Sequence, residues 1–252
     1  MPKVKKGKSI CVTSMKGGVG KTTTTLNLAG AYSLMGMKCM ILDLDLGEGA
    51  IALSLNLEPK KNIYNVCYDM MNNSFKNIRE YITSYNDNID IISAPKDPRQ
   101  ALKIDPKYID LILYNLESIY DVVLIDTTHA LSAMKLTIMD RTYKNLFIVT
   151  NDPADLKNTK SIISIFKDNE INNYNILLNN SYSLYKDYFS LYEIKNIIKA
   201  NIDFTLSKNY YFKNIDNYAM EGKILILDKK IQKFKKNDVN NIIKMAKKLI
   251  KE

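Results

Sequence analysis

The sequence predicts a single α/β domain: a mostly parallel β-sheet with helices on both faces. Three observations carry this expectation. Apolar runs of four or five residues alternate with longer stretches of helical period, the pattern of strands joined by crossover helices. The 252 residues suffice for one large core, and neither a linker nor an internal repeat interrupts them. The balance of 46% hydrophobic and 25% charged residues is that of an ordinary globular chain.

Residues 9–13 read as the first strand, and 21–35 as a helix with Leu26, Leu28, Ala29, Ala31, Tyr32 and Leu34 available to pack. Gly36 ends that helix. A buried strand at 39–42 runs into Asp43, and further strands read at 89–93, 122–125, 146–149 and 175–178. Helices read at 106–117, 153–166 and 238–251. Asp152 before Pro153 is a strong start, an N-cap followed by proline at the first helical position.

No apolar run reaches the roughly 18 residues of a membrane span. The segment before the first strand is basic and has no apolar signal region, so a cytoplasmic chain is expected. Cys11, Cys39 and Cys67 lack metal-like spacing, and Cys11 and Cys39 fall inside apolar strand patterns, as core thiols do. The net charge of +9 is uneven: residues 223–252 carry +7 and Lys3, Lys5, Lys6 and Lys8 carry +4, leaving the middle at −2. The basic arm at 1–8 and the basic C-terminal segment at 238–252 therefore suit an anionic surface, or are two solvated lysine-rich ends.

After the first strand comes Lys16-Gly17-Gly18-Val19-Gly20-Lys21-Thr22-Thr23, and then a helix. This is the strand–loop–helix context of a phosphate-binding P-loop. The glycines let the backbone curl its N–H groups toward phosphate oxygens, and the helix start adds partial positive charge. Lys21 would reach the β- and γ-phosphates, and the Thr22 hydroxyl would coordinate Mg²⁺. Asp43-Leu44-Asp45-Leu46-Gly47 closes the second strand, at the strand end where ligands bind in parallel sheets. Asp121–Asp126 is an apolar strand ending in an acid, and Asp126 would hold Mg²⁺ through water.

The additional lysine makes the loop specific. K-G-G-x-G-K-T-T resembles the deviant Walker motif of the ParA/MinD superfamily of P-loop ATPases. The resemblance covers nearly the whole chain and implies ATP and ADP as ligands, Mg²⁺ as cofactor, and a homodimer formed on ATP binding. Lys16 would cross the interface to the partner's nucleotide, adding a cation that stabilises the transferring phosphoryl group. Lys16, Lys21 and Asp45 are the implied catalytic residues, with Asp45 in switch I positioning the attacking water and the Mg²⁺ shell. Thr22, Asp45 and Asp126 are the implied metal-site residues. Thr127-Thr128-His129 would belong to switch II, where His129, the chain's one histidine, reads as a solvated or capping residue rather than a γ-phosphate sensor. Asn179 matches the family's asparagine beside the adenine base.

Within the superfamily, several stretches look like the CpaE/TadZ branch, which helps place pilus assembly machinery at a cell pole. They are 43–46 leading to 52–59, 93–98, 136–141 with 146–150 and the Asn158 helix, and 217–223. The receiver-like domain that often precedes the ATPase in that branch is not expected, because the phosphate loop begins at Lys16. Ala50 stands where many relatives have Asn or Asp; it cannot hydrogen-bond, so slow hydrolysis is expected. Alternatives are the FlhG-type regulator of flagellar number, a ParA-like DNA partition ATPase, and a nucleotide-dependent scaffold with little turnover. An iron–sulfur carrier on this fold would need cysteines near the switch regions, and there is none after Cys67. The implied partners are a second copy, a protein of a secretion, pilus or flagellar machine, and an anionic membrane, with non-specific DNA ranked below. The implied location is cytoplasmic, peripheral to a membrane or at a cell pole.

The last helix carries apolar Val239, Ile242, Ile243, Ala246, Leu249 and Ile250 on one stripe and Lys244, Lys247, Lys248 and Lys251 opposite. With no Phe or Trp to insert into lipid, it is expected to pack on the sheet with its lysines in water.

Overall fold

The computed structural model describes residues 6–181, 188–208 and 215–251. Most of the basic arm, including Lys3 and Lys5, and Glu252 of the C-terminal segment lie outside the described residues. The strands are β1 (Lys8–Thr13), β2 (Cys39–Leu44), β3 (Thr83–Ser84), β4 (Ile89–Ile92), β5 (Val122–Thr127), β6 (Lys144–Val149), β7 (Tyr174–Asn179) and β8 (Phe204–Leu206). The helices are α1 (Lys21–Leu34), α2 (Ile51–Ser54), α3 (Ile63–Met71), α4 (Pro98–Ala101), α5 (Ile109–Glu117), α6 (Ala133–Arg141), α7 (Pro153–Asp168), α8 (Leu191–Ile198), α9 (Ile215–Met220), α10 (Lys229–Phe234) and α11 (Lys236–Leu249).

The strands form one sheet in the order β3-β4-β2-β5-β1-β6-β7-β8. Every neighbouring pair is parallel except β3 with β4. The expected mostly parallel sheet is therefore present. The chain builds outward from β1 to β2 and β4, then returns through β5 and crosses to β6 on the other side. That reversal opens a crevice at the carboxyl ends of β1, β5 and β6, the place where such sheets hold ligands.

Period-two alternation divides the core. Ile10 and Val12 of β1 pack with Leu28, Ile41, Leu124 and Leu146 beneath α1 and α11. Cys11, between them, packs with Met40, Val123 and Phe147 on the opposite face beneath α5, α6 and α7. Each fully buried Ile, Leu or Phe contributes about 1.5–3 kcal/mol of transfer free energy. All three cysteines are buried free thiols.

α1 is nearly encased, because α11 and the 3₁₀ turn Leu225–Leu227 pack on it. Gly30 permits that approach: a Cβ there would lie 2.3 Å from Ile226 Cγ2. α11 buries Val239, Ile242, Met245, Ala246 and Leu249, and Tyr32 donates its hydroxyl proton to the Ala246 carbonyl at 2.9 Å. The stripe expected for the C-terminal helix thus faces the fold, with Met245 added to it.

The expected helix at 106–117 differs in its first turn. Asp105 caps a 3₁₀ turn over Pro106–Tyr108, and the α-helix begins at Ile109. Among the elements the sequence reading passed over, α8 has a complete capping box, with Ser190 bonded to the Glu193 N–H and the Glu193 carboxylate to the Ser190 N–H.

Candidate functional site

The loop from Ser14 to Lys21 lies at the carboxyl end of β1. Gly18 has φ of 71° and Gly20, the N-cap of α1, has φ of 94°, both in the left-handed region that suits glycine. Two side chains hold the loop. Ser14 donates its hydroxyl proton to the Lys16 carbonyl at 2.7 Å, and Asn179, at the end of β7, donates from Nδ2 to the Val19 carbonyl at 2.9 Å. A Cβ on Gly20 would stand 2.9 Å from Asn179 Nδ2. α1 has no side-chain cap and no acid in its first turn. Its leading N–H groups and the positive end of its dipole are therefore available to an anion. Lys21 is 7% exposed beside this helix start.

Three carboxylates converge on the same edge. Asp43 and Asp126 are register partners on β2 and β5, and Asp45 follows two residues on. Thr22 donates to Asp126 Oδ2 at 2.6 Å, and Thr25 donates to Oδ1 at 3.2 Å. Burial pushes the Asp126 carboxyl up to about 6, with the Thr22 hydroxyl and the Lys21 charge pulling the other way. Burial, reinforced by the Asp126 charge, pushes Asp43 up to about 8, although its oxygens accept N–H bonds from Asp45 and Ile51. Asp45 is 6% exposed. The Thr22 hydroxyl and the Asp45 and Asp126 carboxylates are hard oxygen donors that fit Mg²⁺. Among the described residues no group of three or more His, Cys, Asp or Glu forms a ready-made metal cage. That also fits an ion that keeps waters and substrate oxygens in its shell.

Lys16 sits on the open rim, where its ammonium pairs with Asp152 Oδ2 at 3.0 Å; the two side chains are 44% and 31% exposed. Asp152 is the N-cap of α7 and accepts the Asp155 N–H at 2.9 Å. That bond first, and Lys16 second, hold its carboxyl below the usual range. Lys16 is thus paired within its own chain. His129 is exposed, as expected, but its ring lies over the loop: a Cβ on Gly17 would be 3.4 Å from its Nδ1. Ala50 is the half-buried N-cap of α2 and supplies no side-chain bond.

The structure brings Gly17–Thr23, Asp45, Asp126 and Asn179 around one loop. Sequence reasoning missed four contributors. Asp43 was placed at the strand end with Asp45 but given no role of its own; its register pairing with Asp126 brings it to the site. Thr25 lies one turn after Lys21, whose carbonyl its hydroxyl also bonds at 3.1 Å. Asp152 was read for its capping role alone. Lys135, buried in the first turn of α6, had no signal to separate it from a solvated helix lysine. A helix-start loop, two lysines and acids beside a threonine could hold a polyphosphate and a divalent ion.

Residues 7–168 match the family model described as an AAA domain. The chain is similar to Antiactivator FleN of Pseudomonas aeruginosa, 25% identical over 178 residues. That match covers 69% of this chain and 62% of FleN, so less than two thirds of the relative's length is spanned. In fold it is similar to a ParA family ATPase from Chlorobium tepidum, with TM-score 0.80, 15% identity, and 95% and 98% of the two chains covered. It is also similar to the septum site-determining protein MinD from Pyrococcus horikoshii, solved with Mg-ADP, with TM-score 0.79, 22% identity, and 97% and 96% covered.

Proposed function

The chain belongs to the AAA domain family, within the ParA/MinD superfamily of P-loop ATPases, and on that premise we propose that it is an ATP-driven spatial-positioning switch that works as a dimer. The observation that carries this reading is a pair of lysines on one glycine loop. Lys21 is buried at the helix start, while Lys16 is on the exposed rim, tethered by a half-exposed ion pair.

Mg²⁺, when bound, neutralises charge on the β- and γ-phosphate oxygens. The loop N–H groups and the Lys21 ammonium would bind those phosphates, and the Thr22 hydroxyl with the Asp45 and Asp126 carboxylates would hold the ion. Asp45 orients the attacking water. Asn179, already bonded to the loop, would stand beside the adenine. Lys16 leaves Asp152 to reach the phosphates of a second copy, so that each site is completed only in the dimer. Ala50 offers no hydrogen bond near the water, which makes turnover slow. Replacing it by Asn should raise the rate of phosphate release, and an unchanged rate would refute that role for Ala50.

The test of the main reading pairs analytical ultracentrifugation with phosphate release. ATP should shift the chain from monomer to dimer, and Lys16→Ala should abolish that shift and the turnover while leaving ADP binding within about twofold. A wild-type chain that stays monomeric with Mg-ATP would defeat the proposal.

The cargo we propose is pilus assembly machinery of the CpaE/TadZ kind, held at a cell pole from the cytoplasmic side. Polar foci of a fluorescent fusion, lost in Lys16→Ala, are the expected observation. α11 spends its apolar stripe inside the fold, which supports a protein anchor over insertion into lipid. A second reading, a regulator that restrains another protein by binding it, is favoured by the likeness to an antiactivator. It predicts a stable complex with an activator protein rather than with pilus components.

A further inference from the structure

Lys135 is a buried lysine that the proposed reaction leaves unused. Its side chain is 1% exposed, and it stands in the first turn of a helix, where the dipole disfavours a cation. Lysine is almost never fully buried without partners. Here the partners are main-chain carbonyls from two separate loops. Nζ donates to the Ser14 carbonyl at 2.8 Å and to the His129 carbonyl at 3.2 Å, with Met15 Sδ at 3.8 Å. Ser14 lies at the entry to the phosphate loop, and His129 lies in the loop after β5.

Each acceptor residue also touches the next part of the site. The Ser14 hydroxyl bonds the Lys16 carbonyl, and the His129 ring lies against Gly17. The contacts form a closed ring from Lys135 through Ser14, Lys16 and Gly17 to His129 and back. Burial pulls the ammonium down to about 8, and the nearby Asp45 charge favours its charged form.

We infer that Lys135 is a positioning residue whose ammonium clasps the segment after β5 to the entry of the phosphate loop, fixing where Lys16 and Gly17 stand during phosphoryl transfer. This rests on the ATPase reading above. A lysine that merely filled space would be replaceable by methionine, which has similar volume and needs no acceptor. A clasp would not be.

The experiment compares Lys135→Met and Lys135→Arg with the wild type in ATP turnover, ADP binding and amide hydrogen exchange. In Lys135→Met, kcat should fall about tenfold or more, with KM for ATP and ADP affinity within about twofold. Exchange at 14–17 and 127–132 should rise about tenfold. Lys135→Arg keeps charge and donors, and should recover part of the rate and most of the protection. Wild-type kcat in Lys135→Met overturns the inference, as does an arginine variant no better than methionine. If the methionine variant does not fold, Lys135→Gln replaces it, with the same outcomes expected. If the wild type itself shows no turnover, the ATPase reading fails. Exchange then decides alone, and unchanged protection at both segments overturns the clasp.

Discussion

Replacing Asp152 by Asn isolates the tether on Lys16. Asn caps a helix as well as Asp does, so the bond from the Asp155 N–H and the start of α7 survive. What is lost is the 3.0 Å ion pair with Lys16. Side chains 44% and 31% exposed place this pair in the solvent-screened class, where measured worth is about 0.2–1 kcal/mol. If the tether must break in both protomers before each Lys16 can engage the other copy, removing it should tighten ATP-dependent dimerisation by roughly 2- to 30-fold. Sedimentation of both proteins across a concentration series with Mg-ATP measures this. The gain should shrink at high salt, where the tether is screened in the wild type as well. The Asp152 carboxyl is held below its ordinary 3.8. The tether therefore acts fully at neutral pH and weakens as pH falls through that lowered value. A dimerisation constant that is unchanged, or weaker, in Asp152→Asn would refute the reasoning.

Asp126→Asn should cut phosphate release about 100-fold or more while ADP binding in EDTA stays near wild type, because the acid serves the metal and not the phosphates. Comparable losses of both would contradict that division. Asp43, at about 8 in the fold against an ordinary 3.8, keeps a proton that the unfolded chain releases. The nucleotide-free protein should therefore lose stability as pH rises through that window. Melting temperatures at pH 6 and pH 8.5 should show the fall, and Asp43→Asn should flatten it; a steeper fall in the variant would reverse the assignment. Gly30→Ala forces a methyl against Ile226 and should cost roughly 1–3 kcal/mol, read as a lower melting temperature.

Much of this architecture was legible because single residues announce it. Asp152-Pro153 marks the start of α7, Gly36 terminates α1 in the left-handed region, and apolar runs without alternation mark strands covered on both faces. The phosphate loop was legible because its chemistry is local. What stayed hidden depends on distance in sequence. Nothing near Lys16 names Asp152 as its partner, and nothing near Lys135 says that its ammonium meets the Ser14 and His129 carbonyls. α8 escaped for another reason: its Ser190/Glu193 signal was present but sits beside a polar stretch that masks the period. At 106–117, the period was right and the proline set a tighter first turn.

The buried thiols have a practical consequence. Burial raises Cys11 and Cys67 to about 12, and Cys39 higher still, so at neutral pH all three stay protonated and unreactive. The folded chain is therefore expected to behave toward maleimides as if it carried no cysteine. A single Leu53→Cys substitution, at a side chain 80% exposed just beyond the acidic strand end, would take a fluorophore alone. Assembly and release of the proposed dimer could then be timed without first stripping the native sulfurs.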